Sequence, residues 1–401
     1  MLAIVFSTAI VPVMQASAAT TIKLGDYVQM GTYYGEPILW RCVDIDENGP
    51  LMLSDKIICL KSFDAGVSTN SSTNSHSRNS HRFSYGSNYW ADSNMRSWLN
   101  SDAGAGNVNW LCGNSPVESQ VWNGYNDYAD EAGFLTGFTQ SELNAVKVVT
   151  QKSLVAYPEY ENGIYKMGTA GHDYDYNINE IVQNYDTAYA EYVTDKIFLL
   201  DVKQINAVYN NSNILGEDYY IGEPTAQCVA NSEYTSSSLA TEKKCNYWLR
   251  SPRTTDDGHV RCVFSDGFVY NINAYYGNQG VRPAFYMNQE VFVPEYGEGT
   301  ETVPYIIDSR MPASDIDTFS VSVQDGNIVV CNNSSDEAVG IALTAKYDEN
   351  NNLINTTASE LDISGSGQTI IGTVEENYKY KVFIWSDFSK MNPLAMAYMS
   401  K

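Results

Sequence analysis

Apolar and polar residues alternate with a period of two through much of the chain, the spacing of half-buried β-strands. Gly25–Gly31, Ile38–Ile45 and Leu51–Ile58 are β-branched or aromatic runs bounded by turn residues, with Asn48-Gly49-Pro50 between the last two. They predict a small antiparallel meander. Helical spacing is rarer. Met95, Trp98 and Leu99 stand at i, i+3 and i+4, which predicts a short helix at about 93–100. Thr139 followed by Glu142 makes a capping box ahead of Leu143, Val146 and Val149. Ile197-Phe198-Leu199-Leu200 predicts a buried strand, and Asp201 caps a helix running to about Tyr209. Residues 66–90, rich in Ser and Asn, read as a long exposed loop, and 157–192, dense in Tyr, Asp and Asn, as irregular.

The clearest local prediction is a hairpin over 259–273. Val260, Cys262 and Phe264 alternate with Arg261 and Val263, Ser265-Asp266-Gly267 turns the chain, and Phe268, Tyr270 and Ile272 alternate with Val269, Asn271 and Asn273. Two Arg-bearing blocks, Tyr247–Pro252 and Gly280–Ala284, bracket this region. Pro294, Gly297, Gly299, Pro304 and Pro312 then mark a linker over 294–312. Beyond it, Phe319/Val321/Val323, Ile328/Val330, Ile341/Leu343/Ala345/Tyr347 and Tyr380/Val382/Ile384 read as short strands with polar turns, an immunoglobulin- or fibronectin-like β-sandwich over 313–401. The predicted fold class is therefore α+β over 22–293, followed by an all-β domain.

At 401 residues the chain can bury more than one core. Its net charge of −24 repels phosphate backbones and anionic lipid, which argues against nucleic-acid and membrane-surface partners. Only 18 % of residues are charged, so solubility rests partly on 30 tyrosines and on many asparagines. Residues 2–14 form an apolar run too short to span a bilayer, and Ala16-Ser17-Ala18-Ala19 follows. We read 1–19 as a secretory signal peptide and the protein as secreted or cell-surface associated, with no membrane insertion. No Lys or Arg precedes the apolar run, and translation is therefore expected to start upstream of Met1. The seven cysteines show no C-x-x-C and no zinc-like spacing. Most are expected to be reduced, buried thiols, with Cys228 and Cys245 the nearest candidates for a disulfide.

Five blocks occur in order that resemble a bacterial extracellular family known only as a domain of unknown function. They are Gly25-Asp26-Tyr27-Val28 with Trp40-Arg41-Cys42-Val43, Met52–Ile57, Met95–Asn100, Thr194–Leu200, and the closing pair Tyr247–Pro252 and Gly280–Ala284. The closing blocks also resemble the end of the C-type-lectin-like fold shared by formylglycine-generating enzymes and by the variable proteins of diversity-generating retroelements. In the variable proteins, Asn-, Tyr- and Ser-rich positions just before a closing Gly-x-Arg strand bind ligand, which the resemblance carries to residues 270–278. Here a sandwich follows that block, whereas variable regions end their chain.

Tyr270, Asn271, Asn273, Tyr275, Tyr276 and Asn278 are accordingly the candidate ligand-binding residues. Tyr offers broad contact with few rotatable bonds, and Asn offers both donor and acceptor. Phe268 and Ile272 are expected to point inward with Val281 and Phe285, and Tyr270 is the candidate most apt to join them. Trp40, Trp98 and Trp248 read as core, and Arg250 and Arg282 as structural donors to backbone carbonyls. No catalytic set, cofactor or metal site is expected. No H-E-x-x-H, G-x-S-x-G or P-loop occurs, and Glu223-Pro224-Thr225 and Trp122-Asn123-Gly124 only partly echo Ca²⁺-lectin signatures. His172-Asp173-Tyr174-Asp175-Tyr176 is at most a weak Ca²⁺ loop. The expected function is non-catalytic recognition of a glycan or an extracellular protein. A formylglycine-generating-type enzyme and a structural cell-surface spacer stand as alternatives.

Overall fold

The first strands follow the period-two pattern closely. Tyr27–Tyr33 (β1), Glu36–Asp46 (β2) and Gly49–Ser54 (β3) form the meander, closed by a turn in which the Asp46 carboxylate accepts from the Asn48 N–H at 2.7 Å. Cys59–Leu60 (β4) leaves for a second sheet. Val146–Lys147 (β5), Val149–Leu154 (β6), Ala190–Asp195 (β7) and Phe198–Leu199 (β8) come next. They are followed by Tyr247–Pro252 (β9), His259–Val263 (β10), Val269–Asn273 (β11), Gly280–Val281 (β12), Pro283–Met287 (β13) and Tyr305–Ile306 (β14). This computed structural model describes residues 21–66, 84–113, 115–157, 167–172, 175–289, 292, 294, 297–307, 318–348, 352–385 and 398–399. The expected signal peptide at 1–19 lies outside them.

The first sheet runs β14-β1-β2-β3-β13-β5, with β8 also paired to β13, and the second runs β11-β10-β9-β12-β4. Arg282 separates β12 from β13, so the chain changes sheet at that residue. It also changes sheet between β3 and β4. The Arg282 guanidinium ties the two crossings together, donating from Nε to the Ser54 carbonyl at 3.0 Å and from Nη2 to the Asp55 carbonyl at 2.9 Å.

One hydrophobic cluster spans both sheets. Its largest members, Trp40, Trp90, Trp98 and Trp248, are fully buried. Each indole N–H is satisfied, by Met30 O, Asp195 Oδ2, Ala132 O and Lys61 O at 2.8–3.0 Å. That pairing avoids the cost of a buried orphan donor. The short helices match their sequence signals. Asn94–Leu99 is capped by Ser93, Gln140–Ala145 by the Thr139/Glu142 capping box, and Val202–Asn210 by a capping box of Asp201 and Gln204. The second of these stops at Ala145, because Val146 already pairs with Met287 as a strand.

A separate cluster built on Phe319, Ile328, Val330, Leu361, Val382 and Ile384 occupies the C-terminal strands. These are Phe319–Gln324 (β15), Asn327–Asn332 (β16), Ala338–Tyr347 (β17), Leu353–Ile363 (β18), Gln368–Thr373 (β19), Lys379–Trp385 (β20) and Tyr398–Met399 (β21). They make sheets of order β15-β16-β19 and β18-β17-β20-β21. The overall class is a β-rich α+β fold. Within the stretch read as a linker, β14 pairs in parallel with β1, and Phe292 and Ile307 bury in the first core. Proline and glycine there shape a return of the chain to the first sheet.

Candidate functional site

Residues 270–278 run from β11 into the turn before β12. Tyr270, Asn271, Asn273, Tyr275, Tyr276 and Asn278 are all half-buried. Tyr270 joins Tyr176, Phe264 and Phe268, with ring centroids 5.0, 5.0 and 5.7 Å away. Phe268 does not point inward as expected; it is 45 % exposed. The Phe264 N–H donates to the Phe268 carbonyl, which places Phe268 in the turn. Strand pairing therefore begins at Val263 opposite Val269, and Val269 takes the buried position instead. Ile272 packs on the core, and Val281 and Phe285 are fully buried. Asn278 accepts from its neighbour Gln279 at 2.9 Å.

Tyr275 and Tyr276 belong to a different aromatic group, which includes two rings the sequence reading did not assign to a site. Trp122 lies 5.7 Å from Tyr275 and 5.4 Å from Tyr276, stacked on the latter at 29°. Tyr85 meets Tyr275 edge-on at 5.5 Å, and Tyr275 meets Tyr276 at 5.3 Å. Trp122 and Tyr85 are among the exposed large apolar side chains, at 39 % and 36 %. These four rings form an aromatic face with its outer edge open to solvent.

The backbone beneath this face is pinned from three directions. The Trp122 N–H donates to the Tyr275 carbonyl at 2.8 Å, the Tyr275 N–H to the Tyr85 carbonyl at 3.0 Å, and the Phe63 N–H to the Ala274 carbonyl at 2.8 Å. Asn126 clamps the next residue, donating to the Gly277 carbonyl at 3.1 Å while accepting from the Glu233 N–H at 2.8 Å. Gly277 is required by close approach: a Cβ there would lie 1.8 Å from the Tyr125 carbonyl oxygen. Such a frame leaves little backbone entropy to lose on binding. In the sequence Trp122 stood out only through the partial lectin echo Trp122-Asn123-Gly124, within a turn-rich segment where nothing supplies a periodic apolar partner.

Arg250 and Arg282 are both buried and engaged within the protein. Arg250 donates to the Leu199 carbonyl and to Gln204 Oε1, each at 2.6 Å, and pairs with Asp201 at 2.8 Å. Besides its two bonds at the sheet crossing, Arg282 donates to the Tyr219 carbonyl at 3.0 Å, and its guanidinium lies 4.6 Å from the Tyr219 ring centre. Glu223-Pro224-Thr225 is used structurally: Pro224 bridges to Ile57, and Thr225 caps the helix Ala226–Ala230.

Among the described residues no three His, Cys, Asp or Glu side chains gather as a metal site. His172 is buried, with Nε2 against the Ile181 carbonyl at 2.8 Å, while Asp173 and Tyr174 lie outside the described residues. All seven cysteines are free thiols, and Cys42, Cys59, Cys112, Cys228 and Cys262 are buried. Burial is the main reason the Cys59 thiol is pushed up to about 12 and that of half-buried Cys245 to about 11.

A family model described as a domain of unknown function (DUF6273) matches residues 48–289, and the chain belongs to that family. No curated protein matches the chain. Among solved structures, a Bacteroides uniformis β-glucuronidase 2 covalently bound to cyclophellitol-6-carboxylate aziridine is 13 % identical, over 31 % of this chain and 16 % of that one, with a TM-score of 0.14. A calcium-binding mutant of the same enzyme is 12 % identical, over 34 % and 16 %, also with a TM-score of 0.14. The match thus spans 16 % of either structure's length, well short of the whole enzyme.

Proposed function

We propose that this chain is an exported, non-catalytic binding protein that recognises a glycan through the aromatic face of Tyr85, Trp122, Tyr275 and Tyr276. The observation that carries the reading is the half-exposed Trp122 ring stacked on Tyr276 over a pinned backbone. The C–H face of a pyranose is apolar and lies flat against such rings, while its hydroxyls remain free for solvent or neighbouring amides. Exposed aromatics on a rigid frame supply contact area at a small entropic cost.

In this reading the region through Ile307 is the lectin-like domain and the C-terminal strands are an immunoglobulin-like accessory sandwich. Two separate hydrophobic clusters support that division. The apolar run at 2–14 with the small residues after it supports export. The thiols weigh against a formylglycine-generating-type reaction. Cys228 and Cys262 are buried, and burial first of all keeps both thiols protonated well above their ordinary range, whereas such chemistry needs a reactive thiolate.

A surface protein is the second reading, because Trp and Tyr also anchor protein interfaces. Screening the full chain over immobilised glycans, beside a Trp122→Ala variant, separates the two. Retention of specific glycans by the wild type alone supports the glycan reading. Binding to none of them removes it.

A further inference from the structure

A second site lies apart from the aromatic face, in a polar cleft of about 390 Å³. That volume falls within the roughly 300–1,000 Å³ of small-molecule sites. The cleft opens between the β2–β3 turn, the β6–β7 hairpin and the first turn of the helix Val202–Asn210. The polar groups at its base are bonded to one another. Asp201 pairs with Arg250 and accepts from the Tyr185 hydroxyl at 2.6 Å, while the Tyr286 hydroxyl donates to Asp46 at 2.5 Å and accepts from Gln204 at 3.2 Å.

The rim is built differently. Two ammonium groups, Lys152 and Lys203, lie 4.8 and 5.3 Å from the centre of the Tyr185 ring. Lys152 donates to the carbonyl oxygens of Tyr185 and Asp186, at 2.5 and 3.1 Å, so dipoles hold it in place. Lys203 is 62 % exposed, and its ion pair with the far more exposed Asp186 is 3.9 Å long, a weak, solvent-screened contact. The end of β2 brings half-buried Asp44, whose Oδ1 accepts from Asn211 at 3.4 Å, and the β2–β3 turn brings exposed Glu47 to the same cleft. Lys152 and Lys203, with Asp186 beside them, therefore stand on different elements from Asp44 and Glu47 around one cavity.

We propose that this cleft binds a small zwitterion, an α-amino acid or dipeptide, with its carboxylate at Lys152 and Lys203 and its ammonium at Asp44 and Glu47. Charge-assisted hydrogen bonds at both ends, over a preformed base, select a molecule carrying both charges against one carrying either alone. The site is independent of the aromatic face.

The test is calorimetric titration of the full chain with each of the twenty amino acids and with L-alanyl-L-alanine, using acetate and methylammonium as single-charge controls. The proposal expects saturable binding of at least one zwitterion and none of either control. Lys203→Ala and Glu47→Gln, both at exposed positions, should each weaken that binding at least tenfold with an unchanged melting temperature. Trp122→Ala should leave it intact, which separates this site from the glycan surface. If no amino acid or dipeptide binds, if acetate binds as well as the zwitterion, or if both rim variants keep wild-type affinity, the proposal is overturned.

Discussion

Trp122 stacks on Tyr276 with ring centroids 5.4 Å apart, and its backbone N–H donates to the carbonyl of Tyr275, one residue earlier, at 2.8 Å. The two rings have unequal surroundings: Trp122 is exposed, whereas Tyr276 packs against the hydrophobic core. Substitutions should therefore separate binding from stability. Trp122→Ala should shift the melting temperature by less than about 2 °C. Tyr276→Ala should cost about 1–3 kcal/mol, or several degrees. Thermal unfolding of the two variants checks this, and equal shifts would contradict it.

Gly277→Ala places a methyl group where the Tyr125 carbonyl oxygen sits, 1.8 Å from the new Cβ. Backbone must move on one side or the other, at a cost of about 2–3 kcal/mol. The near-ultraviolet circular dichroism of the Trp122 stack should weaken along with stability. A variant with an unaltered aromatic spectrum would show that the clamp does not hold the rings.

Arg282→Lys keeps a charge but loses the planar fork that reaches the Ser54, Asp55 and Tyr219 carbonyls. Leaving buried acceptors unpaired at the crossing of two sheets should cost about 3–5 kcal/mol. The melting temperature should then fall by about 10 °C. A drop of under about 2 °C would mean that the crossing is held by packing alone.

Acid stability should depend on Asp256. Burial, the largest influence, pushes its carboxyl up, but hydrogen bonds from the His259 ring and backbone N–H and from the Gly258 N–H together leave it below the ordinary value. A depressed folded-state value means that the native form binds fewer protons in acid than the unfolded chain. The stabilisation is complete above the unfolded value of about 3.9 and is lost as pH falls through the folded one. Asp256→Asn should therefore lose less stability than the wild type as pH falls from about 5 to about 2. Parallel acid limbs in denaturant titrations would contradict the assignment.

Much of the fold was legible because its signals are local. The capping boxes at Thr139 and Asp201, the Ser265–Gly267 turn and the alternation of β1–β3 each act within a few residues. The β6–β7 pairing was hidden because 35 residues separate its two strands in the sequence. In β18, most side chains from Leu353 to Ser359 are exposed, so no buried alternation marks the strand. The site was half legible. Tyr275 and Tyr276 stood out by composition, but their partners Trp122 and Tyr85 come from distant segments, brought together by backbone hydrogen bonds that no spacing encodes.

The most direct test of the account is binding of the full chain and of its Trp122→Ala and Tyr275→Ala variants to an immobilised glycan panel, with melting temperatures measured in parallel. The account predicts that the wild type retains a defined set of glycans and that either substitution lowers that binding at least tenfold while both variants stay folded. Wild-type retention that survives both substitutions, or no retained glycan at all, would contradict it.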